Sequence, residues 1–384
     1  MRRRYYATFA SGFQNTVKDI LEKTARDAAI VLSLDGAVVF ETAVPFEALC
    51  LWCFNNIFLA LHVLEQKEKN SFADGGAAIP AVSSVIEAHM SVAEKSGKIR
   101  LADFQRTKKV RTFRIVTSHA NRLVSVNEDL KRKMERAISR ETGLIPNRSA
   151  PDVEFWFLYR NEGFSFFMRR LSKRAPFDAA PHKGELPPQL AYMLCWLSEP
   201  RKSDVILDPF CGYGSILQQR MRFPFEKFYS FDIKDDAARI SKSKIDGRFL
   251  KKCDVRTVDF FTISRHLKEE SVDAIITDPP WGNYEALPLP ADQFYDAMLR
   301  TFYELLKPDG VIVALTARNG EFALSASRIQ EFAIVEASDV LVSGRKASVY
   351  KVKKTRAGRT AERASDDEQT AGNNPKRKPP RKLL

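Results

Sequence analysis

The sequence has no uninterrupted apolar run of the roughly 20 residues that a membrane-spanning helix needs. Its first residues, MRRRYYATFASGF, are basic but contain no apolar core of the kind that a secretory signal requires. We therefore expect no membrane partner and a cytoplasmic location.

Cysteine is also scarce, with five residues in 384, and the number is odd. Scattered cysteines in apolar surroundings are typical of reduced thiols rather than of a disulfide framework. Cys50 and Cys53 form a CxxC, but no second pair of ligands accompanies them, so core packing is favoured over metal or redox work. His, Cys and Asp form no cluster with metal-ligand spacing, and we expect no metal.

Positive charge is present in excess, and it is concentrated. The chain carries a formal net charge of +13, and residues 91–180 alone contain 20 Lys or Arg against 10 Asp or Glu. Such a concentration suits polyanion binding, because each phosphate contact releases counterions. A solvated basic face explains the charge count equally well.

The last 30 residues, 355–384, lack apolar content and are expected to be disordered. They end in KRKPPRK, a pattern typical of nuclear-localisation or nucleic-acid patches, so a nuclear location is the alternative to a cytoplasmic one.

The second half of the chain repeats short apolar runs that each end in an acid. These acids are Asp208, Asp232, Asp254 and Asp278, at intervals of 24, 22 and 24 residues. A strand, a loop and a helix occupy about that length in a β-α-β unit, so the pattern predicts an α/β domain with a parallel sheet. Because ligands of open parallel sheets bind outside the carboxyl ends of the strands, we expect all four acids to line one pocket.

Further elements follow this repeat. Lys234–Ser243 and DQFYDAMLRTFYELL are predicted helices, the second ending in a turn at Lys307–Gly310. Gly310–Leu315 is a predicted fifth strand, and Val340–Val342 with Ser348–Val352 could form an antiparallel edge.

The first half has a mixed α+β pattern. YYATFASGFQNTVKDILEK predicts a strand, a turn at Gly12 and then a helix, and DGAVVFET predicts another strand. FEALCLWCFNNIFLALHVLE favours an apolar helix, and EKNSFADGGAAIPA a loop. RTFRIVTS predicts a strand, SVNEDLKRKMERAISRETG a helix, and VEFWFLYRNEGFSFFMRRL a hairpin that turns at Asn161–Gly163.

The first strand of the α/β half runs into DPFCGYGS, residues 208–215. Gly212 and Gly214 would let the backbone approach a ligand closely, whether a phosphate, a dinucleotide or an amino-acid moiety, or could simply make a tight turn. Asp232 could pair with ribose hydroxyls, and Asp254, beside Val255, with an adenine amine. A single Asp at a strand end is more often a helix N-cap. The two acids therefore indicate a nucleoside ligand mainly when they are taken together with the glycine turn.

The fourth strand runs into TDPPWG, residues 277–282. An exocyclic amine of a nucleobase is a weak nucleophile, since its lone pair is delocalised into the ring. The Asp278 carboxylate and the Pro279 carbonyl could accept its hydrogens, Pro279 and Pro280 would stiffen the segment, and Trp281 could stack on the base. The alternative is a proline-stiffened loop whose tryptophan fills the core.

DPFCGYGS followed by TDPPWG resembles the motifs of class I S-adenosylmethionine-dependent methyltransferases that methylate amines. The resemblance covers roughly residues 180–354, with Tyr213 and Trp281 as departures from the commonest residues. It implies a Rossmann-like fold, S-adenosyl-L-methionine as cofactor and Asp278, Pro279, Pro280 and Trp281 as catalytic residues. It also implies cofactor-binding residues at Asp208, Pro209, Phe210, Cys211, Gly212, Gly214, Ser215, Asp232, Ile233, Asp254 and Val255.

The region before these motifs resembles THUMP-domain RNA guanine-N2 methyltransferases. GELPPQLA, residues 184–191, is similar to that family's linker, and YYATFASGFQNTVKDILEK to its ferredoxin-like start. The resemblance implies five segments: a ferredoxin-like segment 1–65, a THUMP-like RNA-binding domain 66–172, a linker helix 173–200, a Rossmann-like methyltransferase domain 201–354 and a basic tail 355–384. The THUMP-like region coincides with the basic segment, where the phosphate-contact candidates are Arg111, Arg114, Lys131, Arg132, Lys133 and Arg136.

We therefore expect methyl transfer to the N2 amine of a guanosine in structured RNA, with tRNA as the first candidate. Ribosomal or small nuclear RNA, DNA adenine-N6 or cytosine-N4 methylation, and an inactive RNA-binding paralogue are the alternatives. We expect a monomeric catalytic chain, and a small activating subunit stays open as a partner.

Overall fold

A computed structural model describes residues 2–46, 49, 52–65, 83–91, 109–120, 122–172, 182, 184–282, 286–342 and 344–355. The basic tail and the predicted loop after residue 65 lie outside these residues. The chain divides into two compact units, Met1–Ala180 and Pro181–Leu384. No helix of the described residues is long and apolar enough to cross a membrane.

The N-terminal unit is built on one mixed sheet. Its elements are β1 (Arg3–Thr8), α1 (Gln14–Thr24), β2 (Ala29–Leu34), β3 (Ala37–Thr42), β4 (Asn56–Glu65), α2 (83–91), β5 (Thr112–His119), β6 (Arg122–Leu123), α3 (Glu128–Thr142), β7 (Ile145–Pro146), β8 (Val153–Tyr159) and β9 (Phe164–Arg170). The described strands are ordered β2-β3-β1-β4-β9-β8-β5-β6, with β7 beside β5. The predicted hairpin is confirmed as β8 and β9, and the α+β pattern of this half is confirmed.

The apolar helix predicted for FEALCLWCFNNIFLALHVLE is wrong. Residues Asn56–Glu65 instead form β4, which pairs with β1 on one side and with β9 on the other. The side chains of β4 are buried or half-buried on both faces of the sheet up to its last residue, so its apolar sequence looks like that of a buried helix.

α3 has well-formed ends and two distinct faces. The Asn127 side chain caps its start by accepting the Leu130 N–H at 2.8 Å, and Gly143, at φ 70°, ends it. Residues at a spacing of four, Leu130, Met134 and Ile138, are buried against the sheet. The opposite face therefore carries the polar and basic residues of this helix.

The C-terminal unit is an α/β domain, as predicted. Its elements are α4 (Pro188–Leu197), β10 (Val205–Asp208), α5 (Ser215–Arg220), β11 (Lys227–Asp232), α6 (Asp235–Ser243), β12 (Cys253–Thr257), β13 (Val272–Thr277), α7 (Ala291–Leu305), β14 (Leu306–Thr316), α8 (Asn319–Ser327), β15 (Phe332–Val342) and β16 (Arg345–Lys354). Short 3₁₀ helices lie at Gly247–Phe249 and Phe260–Arg265. The described strands are ordered β12-β11-β10-β13-β14-β16-β15, with β10 to β14 parallel and the last two antiparallel.

This strand order brings the ends of β10, β11 and β13 to one edge. Asp208 and Asp232 are the last residues of their strands, and Asp278 follows the last residue of β13. The predicted turn at Lys307–Gly310 lies inside β14 as a break in its pairing, because Leu306 lies opposite Val272, Val311 lies opposite Ala274, and Asp309 between them has φ 64°.

The prediction that Asp254 ends the third strand is also wrong. Asp254 is the second residue of β12 and lies opposite Tyr229, and Thr257 is the residue opposite Asp232. The Asp254 carboxylate forms an ion pair with Arg256 on the same strand. β12 is an edge strand and needs few apolar residues, so its polar sequence CDVRT hid its true extent.

Candidate active site

The glycine turn is fastened to the end of β11. The Cys211 N–H donates to the Phe231 carbonyl at 2.8 Å, and the Gly212 N–H donates to Oδ2 of Asp232 at 2.8 Å. The other carboxylate oxygen of Asp232 accepts the Lys234 N–H at 2.9 Å. Asp232 thus fixes both the turn and its own orientation at the sheet edge.

The two glycines of the turn have different roles. Both have positive φ, 49° at Gly212 and 86° at Gly214. A Cβ on Gly214 would lie 2.9 Å from the Cα of Ser241 in α6, whereas a Cβ on Gly212 would meet nothing within 4 Å. Gly214 therefore permits close packing of the turn on α6, and Gly212 leaves its backbone open for a ligand.

Asp208 is fully buried at the base of the turn. Its Oδ1 accepts the Phe210 N–H at 3.3 Å, and its Oδ2 has no hydrogen-bond partner among the described residues. Burial, followed by smaller effects that include the neighbouring carboxylates of Asp232 and Asp278, raises the pKa of Asp208 well above its usual value. A buried carboxyl group with an unsatisfied oxygen favours the binding of a positively charged group beside it.

Asp259 takes the place that the sequence analysis gave to Asp254. It follows the carboxyl end of β12, where the Val258 N–H donates to the Asp232 carbonyl at 2.9 Å. Asp259 is exposed, and its carboxylate caps the next 3₁₀ helix by accepting the Phe261 N–H at 3.0 Å. Two large apolar side chains, Ile233 and Phe261, are 65% and 47% exposed on the segments that follow β11 and β12. A flat apolar ligand such as adenine suits these surfaces.

The Asp-Pro-Pro-Trp segment leaves β13 at the same edge. Asp278 is half-buried, and its Oδ1 has no hydrogen-bond partner among the described residues. Burial raises the pKa of Asp278 to about 7, against a smaller opposing effect of the nearby Trp281 indole. Pro279 is buried and Pro280 is exposed, so the segment emerges from the sheet at that point.

Trp281 is half-buried, and the hydrophobic cluster beneath this edge, as far as the structure describes it, does not include it. This placement argues against the alternative that the tryptophan merely fills the core.

Three residues that the sequence analysis missed hold the end of this segment. The Arg318 Nε donates to the Trp281 carbonyl at 2.9 Å. The Arg318 backbone N–H donates to the Thr316 hydroxyl at 2.9 Å, and the Thr316 and Tyr295 hydroxyls are 2.7 Å apart. Thr316 and Arg318 follow the predicted fifth strand at its carboxyl end, so the rule that located the acids could have found them too.

The GELPP stretch also contributes to the edge, through Glu185. Its Oε1 accepts the Ser215 hydroxyl at 2.9 Å and pairs with Lys244 at 2.5 Å. Burial would raise the pKa of Glu185, but these partners outweigh it and leave the pKa lowered. His182, which precedes this stretch, stacks on Tyr213 with ring centroids 4.0 Å apart.

The predicted RNA contacts of the N-terminal unit differ in availability. Arg132, Lys133 and Arg136 are exposed on α3 and form no ion pair within the described residues. Lys131 is less exposed and lies 3.9 Å from Glu128. Arg114 is only 20% exposed and pairs with Glu154 at 2.5 Å, a carboxylate that also pairs with Arg170 at 3.2 Å. Arg111 is exposed at the start of β5.

A cavity of about 360 Å³ opens on the same helix face. Its lining residues are Arg132, Glu135, Arg136, Ser139 and Pro146. Two guanidinium groups and a hydroxyl beside a proline ring could hold a phosphate and an adjoining base or sugar.

Comparisons with known proteins agree with the fold and with the sequence motifs of the C-terminal unit. Residues 200–364 match a family of methyltransferase domains, and residues 178–221 match the family described as RMKL-like methyltransferase domain. The chain is 29% identical over 185 residues to a tRNA (guanine(10)-N2)-dimethyltransferase of Pyrococcus abyssi, covering 46% of this chain and 54% of that protein. It is 26% identical over 213 residues to a tRNA (guanine(6)-N2)-methyltransferase of Thermus thermophilus, covering 54% and 62%. The chain thus matches only about half the length of these relatives.

Among solved structures, TrmN from Thermus thermophilus superposes with a TM-score of 0.70 at 22% identity, covering 92% of this chain and 100% of that one. SMU.472, a putative methyltransferase complexed with SAH, superposes with a TM-score of 0.63 at 13% identity, covering 93% and 99%. These likenesses show that the fold of both units is shared. The motifs, the strand order and the sequence matches together identify residues 200–364 as a methyltransferase domain related to those of tRNA guanine-N2 methyltransferases.

Proposed function

We propose that this protein transfers a methyl group from S-adenosyl-L-methionine to the N2 amine of a guanosine in structured RNA, with tRNA as the first candidate. One observation carries the proposal. The Asp278 carboxyl, with one unpartnered oxygen, stands in a proline-stiffened segment at the same sheet edge as the Gly212–Gly214 turn and Asp232.

The residues of the edge fit the proposed cofactor. Asp232 is oriented for a ribose, Gly212 leaves open space, and the exposed Ile233 offers an apolar surface for adenine. The orphaned oxygen of buried Asp208 suits the positive charge of the methionine part. When bound, S-adenosylmethionine supplies an electrophilic methyl group.

The placement of Asp259 makes a separate prediction about the adenine end of this site. Asp259→Ala should weaken cofactor binding about tenfold by calorimetry, since one good hydrogen bond to the ligand is lost. Asp254→Ala, whose carboxylate pairs with Arg256 inside the strand, should leave affinity within twofold. The reverse result would restore Asp254 as the adenine contact.

Asp278 acts on the base. Its carboxylate and the Pro279 carbonyl accept the two N–H groups of the amine, which orients the nitrogen and draws off the positive charge that develops on it. Trp281 stacks on the ring, and solvent takes the released proton. A carboxyl group with a pKa of about 7 is partly protonated at neutral pH, and a positively charged ligand beside it would lower that pKa and favour the ionised acceptor.

RNA binding is assigned to the α3 face. Arg132, Lys133 and Arg136 are exposed, two of them line the 360 Å³ cavity, and the surrounding segment, residues 91–180, carries +10 of the chain's net charge of +13. We propose Arg111 and Lys131 as secondary phosphate contacts, and we give Arg114 little weight because its side chain is largely buried and paired with Glu154. Phosphate contacts do not read the base sequence of the RNA. The target base is recognised in the C-terminal site, after it has been flipped out of the RNA.

The remaining proposals concern the domain bounds, the location and the assembly of the protein. We propose the division of the N-terminal unit into a ferredoxin-like segment 1–65 and a THUMP-like domain 66–172. We propose a cytoplasmic location, which the free, buried cysteines Cys195, Cys211 and Cys253 support. We propose a monomeric catalytic chain, and co-purification would reveal a small activating subunit.

The test is incubation with isotope-labelled S-adenosylmethionine and unmodified tRNA, followed by nucleoside mass spectrometry. The expected product is N2-methylguanosine or N2,N2-dimethylguanosine. N6-methyladenosine or N4-methylcytosine would overturn the choice of base. Transfer only to ribosomal or small nuclear RNA, offered in parallel, would overturn the choice of tRNA, and no transfer to any of them would support an inactive paralogue.

A further inference from the structure

Arg318 stands at a position that is unfavourable for the helix that it begins. It is the N-cap residue of α8, and its side chain caps no helix N–H. A cation there faces the positive end of the helix macrodipole, where Ser, Asp or Asn would stabilise the helix. Glu321 in the first turn lies 3.5 Å from the guanidinium and offsets part of this cost. A residue that breaks a local rule in this way is expected to serve something other than the helix.

What Arg318 contacts is the end of the Asp-Pro-Pro-Trp segment. Its Nε donates to the Trp281 carbonyl at 2.9 Å, and its Nη2 would be 3.2 Å from a Cβ built on Gly282. Gly282 has φ 74° and is free to adopt many conformations. The prolines stiffen the start of the segment, whereas the Trp281–Gly282 end depends on the arginine.

The arginine is itself held from the core. Thr316 and Tyr295 are both fully buried, and the Thr316 hydroxyl accepts the Arg318 backbone N–H at 2.9 Å. The Tyr295 hydroxyl lies 2.7 Å from that of Thr316 and makes a long 3.5 Å contact to the Pro280 carbonyl. Hydrogen bonds in a buried, low-dielectric setting are strong, so this chain of contacts can fix a loop firmly.

We propose that Arg318, fixed by Thr316 and Tyr295, is a positioning residue that holds the Asp-Pro-Pro-Trp segment in the geometry needed for transfer. The inference rests on the proposed function for its effect on rate, although the positioning itself does not need it. The Arg318 Nε–H holds the Trp281 carbonyl, so the Asp278 carboxyl, the Pro279 carbonyl and the indole keep their mutual placement. A small misplacement of such groups is costly in rate.

The experiment compares Arg318→Gln and Arg318→Lys with a matched control, Arg328→Gln. Arg328 follows the other end of α8 and pairs with Asp296, away from the segment. Arg318→Gln should lower kcat about 10- to 100-fold while the calorimetric affinity for S-adenosylmethionine and the melting temperature stay near those of the wild type. Arg318→Lys keeps a donor but loses the planar fork, so it should recover part of the rate. Tyr295→Phe should lower kcat about threefold, and the control should not change it.

Hydrogen exchange of the peptide 276–282 gives a readout that needs no turnover. Exchange should speed up in Arg318→Gln and stay unchanged in Arg328→Gln. A wild-type kcat together with unchanged exchange in Arg318→Gln would overturn the inference. So would equal losses of rate, cofactor affinity and melting temperature, since these indicate a general structural role. A wild-type protein that transfers no methyl group defeats the proposed function instead, and the exchange data still decide the positioning.

Discussion

The two units locate their candidate functions in different ways. In the C-terminal unit, the candidate residues lie where parallel strands end, and backbone N–H groups fix several of their side chains, as the Gly212 N–H fixes Asp232. In the N-terminal unit, the candidate contacts are exposed charges on one face of α3, whose stability depends on the opposite, buried face. Single substitutions should therefore have large effects on activity in the C-terminal unit. In the N-terminal unit, only several substitutions together should have a large effect on RNA binding.

The sharpest test of this contrast is Asp278→Asn. The substitution keeps the shape and one acceptor oxygen but removes the negative charge that would stabilise the positive charge developing on the amine. We expect methyl transfer to fall at least about 1,000-fold, near the loss seen when a preorganised charge-stabilising group is removed. Cofactor affinity should change less than threefold by calorimetry. A matched control is Asp292→Asn, an exposed acid in the first turn of α7, which should retain full activity.

A second substitution tests the packing of the glycine turn. Gly214→Ala places a Cβ against the Ser241 backbone at φ 86°, and it should reduce the free energy of unfolding by about 2–4 kcal/mol, by combined strain and overpacking. Gly247→Ala is the control, since its Cβ would meet nothing within 4 Å and its φ is not positive. Chemical denaturation measures both. Equal stabilities for the two variants would show that the turn tolerates a side chain.

In the N-terminal unit the expected effect is smaller and cumulative. Replacing Arg132, Lys133 and Arg136 together with Ala should weaken RNA binding about tenfold at moderate salt. The slope of log K against log salt should decrease in magnitude by about 2–3, one unit per lost phosphate contact. Each single variant should change affinity less than threefold. The control removes Lys18 and Lys23 of α1, whose partners are Glu22 and Asp19.

An unchanged slope in the triple variant would mean that this face is only a solvated basic surface. Loss of binding in the α1 control would place the RNA contacts elsewhere in the unit.

The last prediction concerns the pH dependence of stability, which has opposite signs in the two units. Burial raises the pKa of Asp278 to about 7, so its contribution to stability is fully present below pH 4 and is lost as pH rises through 7. His89 is fully buried and lies 2.8 Å from His62 and 3.0 Å from the Ser165 hydroxyl. Burial, with a smaller effect of His62, lowers the pKa of His89 to about 3, so its contribution is complete above pH 6.5 and is lost as pH falls.

Calorimetry between pH 5 and pH 8 should therefore shift the unfolding transitions of the two units in opposite directions, by about 1–3 kcal/mol each. Asp278→Asn should reduce the pH dependence of the C-terminal transition and leave the other transition unchanged, and part of the dependence should remain because the raised pKa of Asp208 acts in the same direction. Parallel shifts of both transitions would contradict these assignments.

The sequence predicted most of the C-terminal edge because β-α-β units repeat at a regular interval and place acids at strand ends. It failed at β12, whose position at the edge of the sheet allows polar residues, so Asp254 was taken for the end of the strand. The prediction also failed at β4, because the apolar run of a strand that is covered on both faces looks like the apolar run of a buried helix. Hydrogen bonds between distant elements, such as Tyr295 to Thr316, leave no local pattern at all.

In the proposed mechanism, Asp278 and the Asp-Pro-Pro-Trp segment hold the exocyclic amine of a guanine. The most direct measurement compares methyl transfer to a tRNA transcript with transfer to the same transcript carrying inosine at the methylated position, which removes only the N2 amine. Labelled methyl groups should be incorporated into the guanosine RNA, and none above background should be incorporated into the inosine RNA. Equal incorporation into both would show that another atom is the acceptor and would contradict the account.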